Sequence, residues 1–201
     1  MIGLSFMKNY QTAINSLFAL SDSTLTAKFA QSFTMSEYER CKWLVNTLVN
    51  QKMRFSNVAI VGSSFSTYLV PMLCTQLKQV DNIVLYDRDP QKIDMARALH
   101  RNLRPDTSID FCLLDVQESA DKISGSSYDL VVVPYADRMP EMVNIRTQIN
   151  KATYVLQAEV GDVVRDEKDL IISSGCTQQS FRSVERFGGK QVAMVIGSKR
   201  I

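Results

Sequence analysis

The sequence predicts an α/β fold: a doubly wound, mostly parallel sheet with an N-terminal helical cap and a C-terminal antiparallel hairpin. Three observations carry that prediction. Four short apolar runs, NVAIVG (57–62), NIVLYD (82–87), IDFCLL (109–114) and YDLVVV (128–133), alternate with helical stretches. A later segment, SFRSVERFGGKQVAMVIGSKR (180–200), reads as two strands broken at Gly188–Gly189. Residues 1–56 carry no such run and are patterned for helices. The division expected is a cap over 1–56 and a sheet domain over 57–201.

In the cap, Tyr10, Ile14, Leu17 and Phe18 recur at helical spacing. A second helix is predicted over 35–52, where Tyr38, Cys41, Val45, Leu48 and Val49 form the apolar stripe. Ser36 is its expected N-cap, with Glu39 three residues on. The cap either packs on the sheet as ordinary core or covers a substrate. The four apolar runs are rich in β-branched and aromatic residues, which suits strands buried on both faces of a parallel sheet. SFSTYLVPMLCTQLKQV and RDPQKIDMARALHRNL are long enough for connecting helices, and VQESADKISG is shorter. Pro71 should confine the first helix to its opening turn or kink it. Asp89 is expected to cap the next one, with Pro90 at its first position. Alternating strands and helices imply right-handed crossovers. TYVLQAE (153–159) supplies a fifth strand, and a break at two glycines is a hairpin signal.

Composition removes several function classes. The chain has 201 residues, 23 Lys plus Arg against 21 Asp plus Glu, and a net charge of +2. No basic stripe of the kind that neutralises several phosphates stands out, so a strong nucleic-acid interface is not expected. Cys41, Cys74, Cys112 and Cys176 lie far apart and His100 is the one histidine. Zinc sites need clustered Cys and His, so no metal is expected. Cys74 and Cys112 sit in apolar runs and read as small core residues. Reduced cysteines fit the cytoplasm. The N-terminal residues are interrupted by Lys8, Asn9, Gln11 and Asn15, and read as neither a signal peptide nor a membrane span. A monomer and a homodimer remain open.

Candidate binding residues follow the strands, because doubly wound sheets bind ligands beyond the carboxyl ends of their strands where the order reverses. Gly62 ends the first run, where the chain must turn sharply and approach a ligand. Ser63, Ser64 and Phe65 follow it; the pattern is neither GxGxxG nor a Walker loop, and a plain strand-to-helix turn is the competing reading. Asp87 ends the second run, where a fixed carboxylate can accept hydrogen bonds from both hydroxyls of a ribose. Asp115 follows the third run; it could bond an adenine amino group, with Val116 as an apolar wall, or cap a helix. The fourth run ends at Val133, and Pro134, Tyr135 and Asp137 follow it. Tyr135 or Asp137 could orient a nucleophile or accept a proton; the competing reading is a surface turn with Asp137 as helix cap. His100 reads as a surface residue, and Trp43, Tyr38 and Tyr10 as core contacts.

Taken together and in order, VAIVGSSFSTYL, LYDRDPQKIDMAR and FCLLDVQES resemble the cofactor motifs of class I S-adenosylmethionine-dependent methyltransferases. The likeness covers roughly residues 57–160, and the terminal hairpin is similar to the family's antiparallel seventh strand. It implies S-adenosyl-L-methionine as cofactor, with Gly62 and its following serines at the methionine part, Asp87 at the ribose, and Asp115 with Val116 at the adenine. Phe65, Arg88 and Pro134 are placed with them as cofactor-binding positions, and Tyr135 and Asp137 as catalytic candidates. The chain departs from the pattern: Ile60 stands where the family usually has an acid, and Ser64 and Ser66 where it has glycines. In these departures VAIVGSSFSTYLVPML looks closer to the nicotianamine-synthase-like branch, which transfers the cofactor's aminocarboxypropyl group. Val133-Pro134-Tyr135 lacks the polar residue that base-modifying relatives carry before their proline.

The expected function is S-adenosylmethionine-dependent transfer, of a methyl group, to a small molecule. Its sulfonium is already activated, so alignment supplies most of the rate and a site poor in His and Cys suffices. Aminocarboxypropyl transfer or cyclisation releasing methylthioadenosine is the second reading. A non-catalytic interaction module is the third, and a nicotinamide dehydrogenase is disfavoured by the absent glycine fingerprint.

Overall fold

A computed structural model of the chain describes residues 35–62, 66–77, 79–100, 107–114, 123, 127–134, 152–162, 164–166, 168–169 and 178–198. Within them, helix α1 spans Met35–Asn50, strand β1 Asn57–Val61, α2 Ser66–Gln76, β2 Asn82–Asp87, α3 Pro90–His100 and β3 Ser108–Leu113. Strands β4 (Leu130–Val133), β5 (Thr153–Glu159), β6 (Gln178–Phe187) and β7 (Lys190–Ser198) follow. The seven strands form one sheet in the order β3-β2-β1-β4-β5-β7-β6. β1 to β5 are parallel, and β7 runs antiparallel between β5 and β6. This is the predicted doubly wound sheet with its antiparallel hairpin.

The alternation of a pleated strand explains how one apolar run feeds two cores. Val58 and Ile60 of β1, Ile83 and Leu85 of β2, and Leu130 and Val132 of β4 face α1 and α2. Ala59, Val61, Val131, Val133 and Leu156 point to the opposite face. All four β4 residues are fully buried, as a central parallel strand requires.

Helix α1 supplies Cys41, Leu44, Val45 and Leu48 to the first core, each fully buried, with Tyr38 and Trp43 packed at its margin. The sequence pattern put Val49 in this stripe; instead Leu44 takes part and Val49 is 40% exposed. The spacing 41, 44, 45, 48 keeps one face, whereas 49 turns about 100° further round. Ser36 lies inside the helix and so does not cap it. It packs at the hairpin turn, where a Cβ built on Gly188 would stand 3.2 Å from that of Ser36.

Two expectations about the next helices divide. Asp89 caps α3 as predicted, its Oδ1 accepting from the N–H of Gln91 at 2.9 Å. Of the two outcomes expected for Pro71, confinement of α2 to its opening turn does not occur: the helix runs from Ser66 to Gln76 with the proline inside. An interior proline costs about 3 kcal/mol or more. Leu69, Val70, Met72 and Leu73 are all buried beside it, and each contributes roughly 1.5–3 kcal/mol on burial, which outweighs that cost.

β3 lies at an edge of the sheet, and two side-chain expectations fail there. Cys112 is exposed rather than core, and Leu113 is 59% exposed. An apolar run such as IDFCLL does not reveal whether its strand will be central or peripheral. His100, expected at the surface, is buried: its ring stacks on Phe111 of β3 at 6.4 Å, and the Arg97 guanidinium lies 5.6 Å from the same ring. Burial lowers the His100 pKa to about 3. The folded protein therefore holds this imidazole neutral while the unfolded chain protonates it near its ordinary value of about 6.5. Stability from this group is complete above that value and declines as pH falls toward 3. Urea melts at pH 7 and pH 5 should show a loss of about 2 kcal/mol attributable to His100, absent in His100→Phe.

Among the described residues no helix is long and apolar enough to cross a membrane.

Candidate ligand crevice at the carboxyl ends of the strands

β1 sits between β2 and β4, so the chain leaves it toward one side first and returns to its other side later. Such a reversal opens a crevice between the flanking connections. Val61 pairs with Tyr86 and Ile60 with Val132, which brings the ends of β1, β2 and β4 side by side. Gly62, Asp87 and Pro134 occupy those ends.

Gly62 has φ +104°, a backbone conformation that side-chain-bearing residues rarely adopt. Its N–H donates to the carbonyl of Tyr86 at 2.7 Å, which ties the turn to β2. Among the described residues, a Cβ built here would meet nothing within 4 Å. The glycine thus serves the turn and borders open space, as close approach by a ligand requires. Asp87 is 8% exposed at the tip of β2. Its Oδ1 accepts from the N–H of Asp89 at 3.0 Å, so the turn itself orients the carboxylate. Arg88 is exposed. Pro134 is buried, and its carbonyl accepts from Nη2 of Arg40 at 2.8 Å. The structure thus brings together three of the residues read from the sequence. Ser63, Ser64, Phe65, Asp115, Val116, Tyr135 and Asp137 lie outside the described residues.

Helix α1 adds residues that sequence reasoning missed. Arg40 is almost fully buried on the face that carries Leu44 and Leu48. Its Nη1 lies 3.6 Å from Oε1 of Glu159 at the end of β5, and Glu159 is bonded to Lys190 of β7 at 2.8 Å. Gln157, fully buried on β5, donates weakly to the Arg40 carbonyl at 3.4 Å. The signal was available: an arginine four residues before Leu44 falls on the apolar face, where it must find partners.

Tyr38 and Tyr68 meet edge to face with centroids 5.5 Å apart. Burial, then the negative charge of Glu37, pushes the Tyr68 pKa to about 12. Its hydroxyl is therefore a hydrogen-bond donor at neutral pH rather than a base. Burial, reinforced by Glu37, also raises the Cys41 thiol well above its ordinary range, so it is no thiolate nucleophile. No group of three potential metal ligands occurs among the described residues.

No family model matches the sequence, and no curated protein matches it. Solved structures do. MtNAS in complex with MTA and tNA aligns with a TM-score of 0.59 at 12% identity, over 97% of this chain and 70% of that one. The 16S rRNA methylase ArmA aligns at 0.54 and 13% identity over 96% of both chains. TrmK of M. capricolum, in complex with S-adenosyl-homocysteine, aligns at 0.59 and 11% identity over 78% of this chain and 67% of that one. At such identities the likeness concerns architecture, and it agrees with the strand order and the antiparallel seventh strand: this chain has the class I methyltransferase fold.

Proposed function

We propose that the protein is an S-adenosylmethionine-dependent transferase acting on a small molecule. One observation carries the reading: a near-buried carboxylate, Asp87, stands at the tip of β2 beside Gly62, whose backbone is left-handed and borders open space. A carboxylate held by its own turn suits the paired hydroxyls of a ribose, and a bare glycine at a strand end suits the close passage of a polar chain. Among the described residues, Gly62 and Asp87 support this choice of cofactor. In this reading Gly62, Ser63, Ser64 and Phe65 take its methionine part, Asp87 with Arg88 the ribose, and Asp115 with Val116 the adenine. Pro134 closes the crevice after β4, and Tyr135 or Asp137 orients the acceptor. When bound, the cofactor supplies carbon atoms activated by its sulfonium. What the chain contributes is alignment, which needs neither a thiolate nor a histidine. In this reading helix α1 covers the acceptor side with Glu37 and Tyr38, beside the protonated Tyr68 of α2.

Methyl transfer is the first reading. Transfer of the aminocarboxypropyl group is the second, and it is favoured by one finding: MtNAS, in complex with MTA, aligns over 97% of this chain. The two reactions leave different remnants. Incubation with labelled S-adenosylmethionine and a small-molecule cell extract should release S-adenosylhomocysteine in the first case and methylthioadenosine in the second. Release of neither, together with no calorimetric heat for S-adenosylmethionine or S-adenosylhomocysteine, would leave a non-catalytic methyltransferase-like module.

A further inference from the structure

We propose that Arg40 is a positioning residue of this site, fixing Pro134 at the carboxyl end of β4, level with Gly62. The inference rests on the transferase reading above. Helix α1 meets the sheet through apolar side chains everywhere along its buried face except at Arg40 and Thr47, which are 2% and 8% exposed. A guanidinium in such a place is costly unless its donors are engaged, so its partners indicate its role. Nη2 donates to the carbonyl of Pro134 at 2.8 Å. Nη1 faces Oε1 of Glu159 at 3.6 Å, and Lys190 holds the other oxygen of Glu159 at 2.8 Å. The Arg40 backbone is approached in turn by the amide of Gln157, which also reaches the Met194 sulfur at 3.3 Å. The Arg40 side chain thus ties α1 to the ends of β4 and β5, and β7 joins through Lys190 on Glu159.

Pro134 makes this fastening specific. Proline has no N–H, so its carbonyl is the one backbone group through which the residue can be anchored. Arginine suits the task because a rigid planar fork can address a carbonyl and a carboxylate at once, whereas a lysine ammonium is a single point. The register Ile60↔Val132 sets the anchored Pro134 directly across from Gly62. A shift of Pro134 would therefore change the space beside Gly62 that the proposed ligand occupies, and small misplacements of this kind have large effects on orientation.

The test is calorimetric binding of S-adenosylhomocysteine, measured below each variant's melting temperature. Arg40→Met should weaken binding about tenfold, and Arg40→Lys, which can keep one contact, by less. Glu159→Gln, altering a partly exposed side chain that leaves Arg40 on Pro134, should weaken it about threefold. Leu44→Ala, on the same buried face but without a polar partner, should lower the melting temperature and leave affinity within about twofold. Arg40→Met binding within about twofold of wild type would overturn the inference, since a merely structural arginine would behave as Leu44 does. If Arg40→Met does not fold, unchanged affinity in both Arg40→Lys and Glu159→Gln overturns it, and the graded loss supports it. Wild-type protein that binds no S-adenosylhomocysteine removes the transferase reading itself, and this inference with it.

Discussion

Asp87→Ala should weaken S-adenosylhomocysteine binding about a hundredfold while the protein still folds. Two hydroxyls donating to one carboxylate make charge-assisted bonds, each contributing about 1.5–3 kcal/mol, and a hundredfold loss corresponds to about 2.7 kcal/mol. The substitution also removes the bond from the Asp89 N–H at 3.0 Å, a structural effect that is measured separately as stability. Asp87→Asn separates the two contributions. It keeps one acceptor oxygen, able to stay on the Asp89 N–H, but turns the other into an NH2 donor and gives up the charge, so its affinity should fall between alanine and wild type. Calorimetry gives the affinities and thermal melts give the stability. Alanine and wild-type proteins that bind the nucleoside equally would refute the ribose assignment.

Gly62→Val should reduce both stability and binding, for separable reasons. At φ +104° a β-branched residue carries backbone strain of order 1–3 kcal/mol. Among the described residues no atom stands within 4 Å of the added Cβ, so the destabilisation expected there comes from the backbone. The same isopropyl group would fill the opening beside Asp87, and S-adenosylhomocysteine binding should fall below detection. Gly62→Ala carries the strain with less bulk and should retain measurable affinity. Denaturant melts and calorimetry on the pair decide the matter. A valine variant that is destabilised yet binds normally would show that the ligand lies elsewhere.

The layered fold was readable because its determinants are local. Continuous apolar runs with strand-ending turns marked β1, β2 and β4, and Gly188–Gly189 marked the hairpin, where both residues have positive φ. Position within the sheet was not readable, since it depends on which strands remain outside. Cys112 and Leu113 therefore seemed core and are exposed, while His100 seemed exposed and is covered by its stack on Phe111. Gly62 and Asp87 could be located because a strand end followed by glycine or a carboxylate is a sequence feature. Arg40 could not be connected to Pro134, since 94 residues separate them and only the packing of α1 brings them within 2.8 Å.

The strand order has a consequence for how the chain must be made. β7 is threaded between β5 and β6, and Val192 to Ile196 have no accessible surface. During vectorial synthesis β5 would emerge with one edge unpaired and wait some thirty residues for its neighbour, β7 starting at Lys190. Until then an apolar strand presents open backbone donors and acceptors, a template for association with other nascent chains. Early termination within β7 would consequently yield insoluble material rather than a smaller working unit, and the protein's dependence on holdase chaperones should peak at that stage of elongation.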